Sequence, residues 1–188
     1  MKGNFVRRES AMNAAYQTFR AEVGRLADRW LSEGLPSRQG LDKSAADLQA
    51  LRNQLKVQGL WAQPLRMVTA TLDDGLGQGL AIIEHFAVAI GMRLVSLGLM
   101  RTPEEIVNAC RHEVPDFLGV TILQFDTEDD LAEISQQLPP HTRIIAGGPV
   151  FIGDPGFAAR TGTHYAARNV ADFLRFMVNA AAAAATER

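Results

Sequence analysis

Cysteine is nearly absent from this sequence: Cys110 is the only one among 188 residues. A single thiol cannot close a disulfide within the chain, nor can it supply a cysteine-based zinc or iron–sulfur site by itself. That usage fits a reducing compartment. Excess charge is also lacking, since 19 Lys and Arg stand against 21 Asp and Glu for a formal net charge of −2. There is thus no electrostatic ground for a nucleic-acid or membrane-surface partner. No run of about 18 apolar residues occurs, so no membrane span is expected. The opening segment MKGNFVRRES is basic but leads into Ala, Asn, Tyr and Gln rather than an apolar stretch. The expectation is a soluble, cytoplasmic protein. His85, His112, His141 and His164 are scattered along the chain, which argues against a multi-histidine metal site.

What is present suits a globular domain with a modest extension, at 47% hydrophobic and 21% charged residues. Met12, Tyr16, Phe19, Val23, Leu26 and Trp30 recur in steps of three and four, the stripe of a long first helix. Gly34, Pro36 and Gly40 break that pattern. Ser44 with Asp47 resembles a capping box opening a second helix that carries Leu48, Leu51 and Leu55 and ends near Gly59. Residues 1–65 therefore read as a helical hairpin. Its exposed Tyr16, Phe19, Leu26 and Trp30 would make a large apolar patch, so it is expected to form a homodimer or to pack on the following domain. Trp61, on the linker before Pro64, reads as a cap over a ligand rather than as core.

From Arg66 the texture changes to short β-rich runs alternating with helical segments, the pattern of βαβ units. Strands are expected at 66–72, 93–97, 116–123 and 142–146, with a fifth near 161–164. Helices are expected at 78–90, 103–113, 127–137 and 167–178. Thr102, Pro103, Glu104 and Glu105 form a helix start: a cap, a proline at the first position and acids in the first turn. The fold class predicted for 66–178 is α/β, a flavodoxin-like (Rossmann-like), doubly wound, five-stranded parallel sheet of order 2-1-3-4-5, preceded by the two-helix extension. Ligands of such sheets sit beyond the carboxyl ends of the strands. Residues 179–188 form an Ala-rich tail with no stripe to bury, expected to fray. Cys110, on an amphipathic helix, reads as a small buried hydrophobe.

The first βα turn, Thr71-Leu72-Asp73-Asp74-Gly75-Leu76-Gly77-Gln78-Gly79, places glycines at alternate positions between a strand and a helix. This is not G-x-G-x-x-G, and no Gly-Lys-Ser/Thr follows, so a nucleotide phosphate loop is a poor reading. Together with Leu94-Val95-Ser96-Leu97-Gly98, Leu118-Gly119-Val120-Thr121-Ile122-Leu123, Ile145-Ala146-Gly147-Gly148 and Gly162-Thr163-His164-Tyr165-Ala166, the loop resembles that of the cobalamin-binding domains. Their loop is D-x-H-x-x-G. Spacing back from the second strand aligns Asp74 with the aspartate, Leu76 with the cobalt-ligating histidine and Gly79 with the glycine. The resemblance implies a corrinoid site made by Asp74, Gly75, Leu76, Gly77, Gly79, Thr121, Leu123, Gly147, Gly148, Thr163 and His164. Leucine has no lone pair to donate, so cobalamin held here would be base-on, with no cobalt bond from the loop.

Each residue also has an ordinary reading. Asp74 next to a glycine at a helix start is a common cap, and one glycine of the 147–148 pair is explained by a plain strand-to-loop turn. Thr121 faces either a ligand slot or a satisfied core hydrogen bond, and Leu123 is apolar wall. No base stands beside a nucleophile and no paired carboxylates share a loop, so no catalytic activity of the chain alone is expected. Three readings stay open. The first is a stand-alone cobalamin-binding-like module serving as sensor, carrier or accessory subunit to a methyltransferase, mutase or regulator. The second is an interaction or regulatory protein on the same fold that has lost the cofactor. The third is a haem-binding sensor.

Overall fold

The computed structural model describes residues 2–73 and 78–186, with side chains from residue 12 onward. Two compact units emerge. One comprises Met1–Pro64, Val88–Met92 and Ala171–Arg188, the other Leu65–Ala87 and Arg93–Val170.

The second unit is a five-stranded, all-parallel sheet in the order β2-β1-β3-β4-β5. Its strands are β1 (Arg66–Thr71), β2 (Arg93–Gly98), β3 (Phe117–Thr121), β4 (Arg143–Gly147) and β5 (Tyr165–Ala167). The connecting helices are α3 (Gln78–Ala89), α4 (Pro103–Glu113), α5 (Glu128–Gln137) and the short α6 (Val150–Gly153) and α7 (Phe157–Arg160). The doubly wound, flavodoxin-like architecture expected from the β–helix alternation is the one observed. The helix start at Thr102 is a complete capping box: its side chain accepts the Glu105 N–H while the Glu105 carboxylate accepts the Thr102 N–H.

Alternation along the strands gives the sheet two unlike faces. On one, Val68, Ala70, Leu118, Val120, Ile144 and Ala146 pack against Ile106, Val107 and Cys110 of α4 and Leu131 and Ile134 of α5, an aliphatic core from which water is excluded. Burial there pushes the Cys110 thiol up to about 12, so it serves as the small hydrophobe the sequence implied. On the other, the register aligns Thr69 with Gly119 and Ser96, and Thr71 with Thr121 and, through it, Gly147. Thr69 is fully buried and donates its hydroxyl hydrogen to Glu84 of α3 at 2.6 Å.

β5 begins later than expected. Gly162, in the left-handed region at φ +66, ends the turn after α7, and Thr161 spends its hydroxyl on the Phe157 carbonyl at 2.9 Å. This turn keeps 161–163 out of the sheet, and strand pairing starts at Tyr165 opposite Ile145.

The first unit holds α1 (Lys2–Glu33), α2 (Arg38–Leu55) and most of α8 (Val170–Thr186). Several expectations change here. α2 opens at Ser37, whose hydroxyl accepts the Gly40 N–H, and not at Ser44, which lies inside the helix bonded back to the Gly40 carbonyl. Gly40 does not break the helix, because the space of its missing side chain is taken by the Pro36 ring. Tyr16, Phe19, Val23 and Trp30 are buried within the chain, not displayed. The Tyr16 hydroxyl accepts the Gln58 N–H, and Arg20 caps the Leu60 carbonyl at 2.8 Å. Of the four side chains whose patch suggested a homodimer, Tyr16, Phe19 and Trp30 are thus covered within the chain, and Leu26 is half-buried. Trp61, expected as a ligand cap, is buried in the same unit.

The alanine run does not fray but continues α8 to Thr186, with Ala181 fully buried. Alanine loses no side-chain entropy in a helix. Its small size also permits close packing, as Gly24 does where α1 meets Arg175 and Val178 of α8. Arg175 fixes that crossing by donating to the Gly24 carbonyl and pairing with Asp28. The boundary expected at residue 178 therefore falls inside one helix. A second close crossing joins Gly59 to Gly91, where each missing Cβ faces the other segment's backbone and Leu60 N–H donates to the Ile90 carbonyl at 2.9 Å. Gly91→Ala is expected to cost about 3 kcal/mol in urea unfolding, because a positive-φ alanine would also press on the Gln58 carbonyl.

Candidate functional site

The carboxyl ends of β1 to β4 lead into loops that are tied to one another in series. Thr71 is the first knot. Its carbonyl accepts the Arg101 N–H at 2.9 Å and its hydroxyl takes the Met100 N–H, while that hydroxyl donates to the Asp73 carbonyl at 2.9 Å. The loop after β2 is therefore fastened to the end of β1, and Arg101 tightens it by donating Nε–H to the Leu97 carbonyl. Asp73 is the second knot. Its carboxylate, almost fully buried, accepts the Leu123 N–H at 2.7 Å and so holds the β1 loop to the β3 loop. The third is the Ile122 N–H donated to the Gly147 carbonyl at 2.8 Å. There Gly148, at φ +128, lies so close to the Ile122 carbonyl that a Cβ has no room.

The fourth tie is Arg160, at the end of α7. Its guanidinium grips Glu128 at the start of α5 with two bonds of 2.6 and 2.8 Å and reaches Asp154, after α6, at 2.6 Å. Arg160 holds both carboxyls below their usual range through these bonds, and its own value rises in turn. A depressed carboxyl contributes its share above the unfolded-state value and loses it as pH falls through the folded one. Glu128 and Asp154 are thus expected to titrate below the ordinary carboxylate range and to move back towards it in Arg160→Gln, which an NMR pH titration of their carboxyl carbons would show.

Upon this polar framework the loops raise an apolar rim. Leu99 and Met100 after β2, Leu123 and Phe125 after β3, and Ile152 in α6 leave between 38% and 67% of their surface in solvent. Five large apolar side chains on three successive carboxyl-end loops are costly to hydrate and are held there by ties that leave them little freedom to collapse. Met100 is itself in the left-handed region at φ 55, an unusual conformation for a methionine that its N–H bond to Thr71 helps hold. The carboxyl edge therefore carries an exposed apolar surface.

The structure brings Thr121, Leu123, Gly147 and Gly148 to this edge. Gly79 lies at the start of α3, and among the described residues nothing stands within 4 Å of where its Cβ would be. Asp74, Gly75, Leu76 and Gly77 lie outside the described residues. Thr163 and His164 are corrected: with β5 starting at Tyr165 they precede a strand and sit at the amino edge, away from the other positions. His164 donates its backbone N–H to the Ile144 carbonyl, and its ring Nδ1 accepts the Ile144 N–H at 3.0 Å, a strand-start clasp. The sequence reading missed Asp73, Thr71 and Arg160. Asp73 was within reach, as the first acid after a buried strand. Arg160 carried no local signal, since its partners lie 32 and 6 residues away.

The fold is an open parallel α/β sheet, a class in which ligands collect at the carboxyl edge. No family model matches the chain. It shares its fold with a cobalamin-binding protein from Desulfitobacterium hafniense DCB-2, at TM-score 0.72 and 22% identity over 92% of this chain and 86% of that one. A monomethylamine corrinoid protein of Methanosarcina barkeri aligns at TM-score 0.57 and 13% identity, over 91% of this chain and 96% of that one. A methanol:cobalamin methyltransferase complex of the same organism aligns at TM-score 0.62 and 18% identity, over 92% and 68%. In sequence, 61 residues are 38% identical to the 2-hydroxyisobutanoyl-CoA mutase small subunit of Aquincola tertiaricarbonis. That match takes in 32% of this chain and less than half, 45%, of the relative.

Proposed function

We propose that this chain is a corrinoid-binding module of the cobalamin-binding family that seats cobalamin, base-on, against the carboxyl edge of its sheet. The observation that carries the reading is the apolar rim of Leu99, Met100, Leu123, Phe125 and Ile152 on loops locked by Thr71, Asp73 and Gly148. The apolar face of a corrin ring suits such a rim, and its peripheral amides suit the polar backbone of the loops. Bound cobalamin supplies organometallic chemistry at its cobalt. The chain's part is to hold and orient it, with Thr121, Gly147 and Gly148 at the edge. Leu76 offers cobalt no ligand, so the cofactor keeps its own base. Likeness to a mutase small subunit and to corrinoid proteins supports a role as an accessory or carrier module in the cytoplasm, delivering the cofactor to a separate catalytic partner.

The test is to load purified protein with hydroxocobalamin, remove the excess by gel filtration and record spectra of the wild type and Leu76→His. The expected result is about one corrinoid retained per chain, base-on in the wild type and histidine-ligated in the variant. A histidine-ligated spectrum already in the wild type would show that Leu76 does not occupy the ligand position. Loss of all corrinoid from both proteins overturns the reading, in favour of a haem sensor if hemin is retained instead and of a cofactor-free interaction module if it is not.

A further inference from the structure

We propose that Arg160 is a positioning residue for this cofactor seat, acting by clamping the loop after β3 to the segment after β4, a role that rests on the corrinoid reading above. The two carboxylate partners of Arg160 border two of the rim residues proposed to meet the ligand. Glu128 directly follows the turn Phe125–Thr127 that carries Phe125, and Asp154 directly follows α6, which carries Ile152.

Between these charges the apolar contacts run in the same direction. The guanidinium carbon stands 5.9 Å from the centre of the Phe157 ring, and Phe157, fully buried, meets Phe125 and Phe151 edge to face at 6.0 and 5.3 Å. Phe125 in turn lies over Gly153, where a Cβ would stand 3.2 Å from its ring. The exposed Phe125 therefore has one defined resting place, fixed from below by Phe157 and from the side by the end of α6. Arg160, on the same short helix as Phe157, reaches the segments on both sides through hydrogen-bonded ion pairs.

Surface ion pairs contribute little to global stability, and all three side chains here are between a third and a half exposed. Geometry is a different matter. A planar fork that meets one carboxylate with two bonds and a second with a third sets the separation of the two segments, and lysine, a point charge, cannot reproduce it. Removing Arg160 is expected to leave the fold intact while the two sides of the seat drift apart.

The experiment compares full-length wild type, Arg160→Gln and Arg160→Lys by three readouts: spectral titration with hydroxocobalamin, thermal midpoint and amide exchange at 123–127 and 150–156. The Gln variant is expected to bind about fivefold more weakly, with an almost unchanged midpoint and faster exchange in both segments together. The Lys variant should fall between the two. A Gln variant with wild-type affinity and exchange overturns the proposal, as does one whose affinity falls only in step with a large drop in midpoint, since Arg160 would then be merely structural. A wild type that retains no hydroxocobalamin removes the corrinoid reading itself, and this role with it.

Discussion

Gly148→Ala is expected to cost about 3 kcal/mol of stability, a fall in thermal midpoint of roughly 6–12 °C for a chain of this length, and to disorder the ligand edge as it does so. Two effects add. The residue sits at φ +128, where an L side chain is strained, and its Cβ would run into the carbonyl of Ile122. That carbonyl is not a flexible tip that can step aside. It belongs to the backbone whose N–H is bonded to Gly147, so relief requires the β3 and β4 loops to separate. Gly147→Ala is the matched control: its Cβ would stand 3.2 Å from the Ala167 carbonyl, a small adjustment expected to cost about 1 kcal/mol or less. Differential scanning calorimetry of the two variants checks the contrast, and equal midpoints would show that the close approach at Gly148 has been misjudged.

The second large effect falls on Asp73. Asp73→Ala is expected to cost about 1.5–2 kcal/mol, because the Leu123 N–H would lose the charged acceptor that the buried Asp73 carboxylate gives it. Asp73→Asn keeps an oxygen of similar shape without the charge and should lose less than half as much. Urea unfolding ranks the variants, and the Leu123 amide supplies the local readout, exchanging faster in the alanine variant than its neighbours in the interior of β3. A loss no greater for alanine than for asparagine would mean that this bond does not tie the two loops.

These predictions also mark where sequence reading reached and where it stopped. The β–helix alternation from Arg66, the capping box at Thr102 and the glycine pair after the fourth strand all rest on interactions within a few residues, and each is found as read. The glycine pair shows the limit. Both glycines look alike in sequence, yet only Gly148 is demanded by its surroundings, because what approaches it is a carbonyl some 26 residues earlier in the chain. The hairpin stripe shows it again. Its period correctly marks the buried side of α1, but whether a second copy or the chain's own α8 and the 57–61 segment would cover it cannot be told from periodicity. His164 went to the wrong edge for a related reason: a fifth strand set four residues too early reverses which end of the sheet its flanking residues face.

By itself, then, the sequence determined the class of fold and the strand order that alternation and right-handed crossovers dictate. These follow from local periodicity and chain order. Only the tertiary structure decided that Asp73 and Thr71 knit the edge together, that Arg160 spans two of its loops, and that five apolar side chains stand out along it. Those facts depend on contacts between residues far apart in the chain, chosen by packing and hydrogen-bond satisfaction over the whole sheet, and no short window of sequence contains both partners.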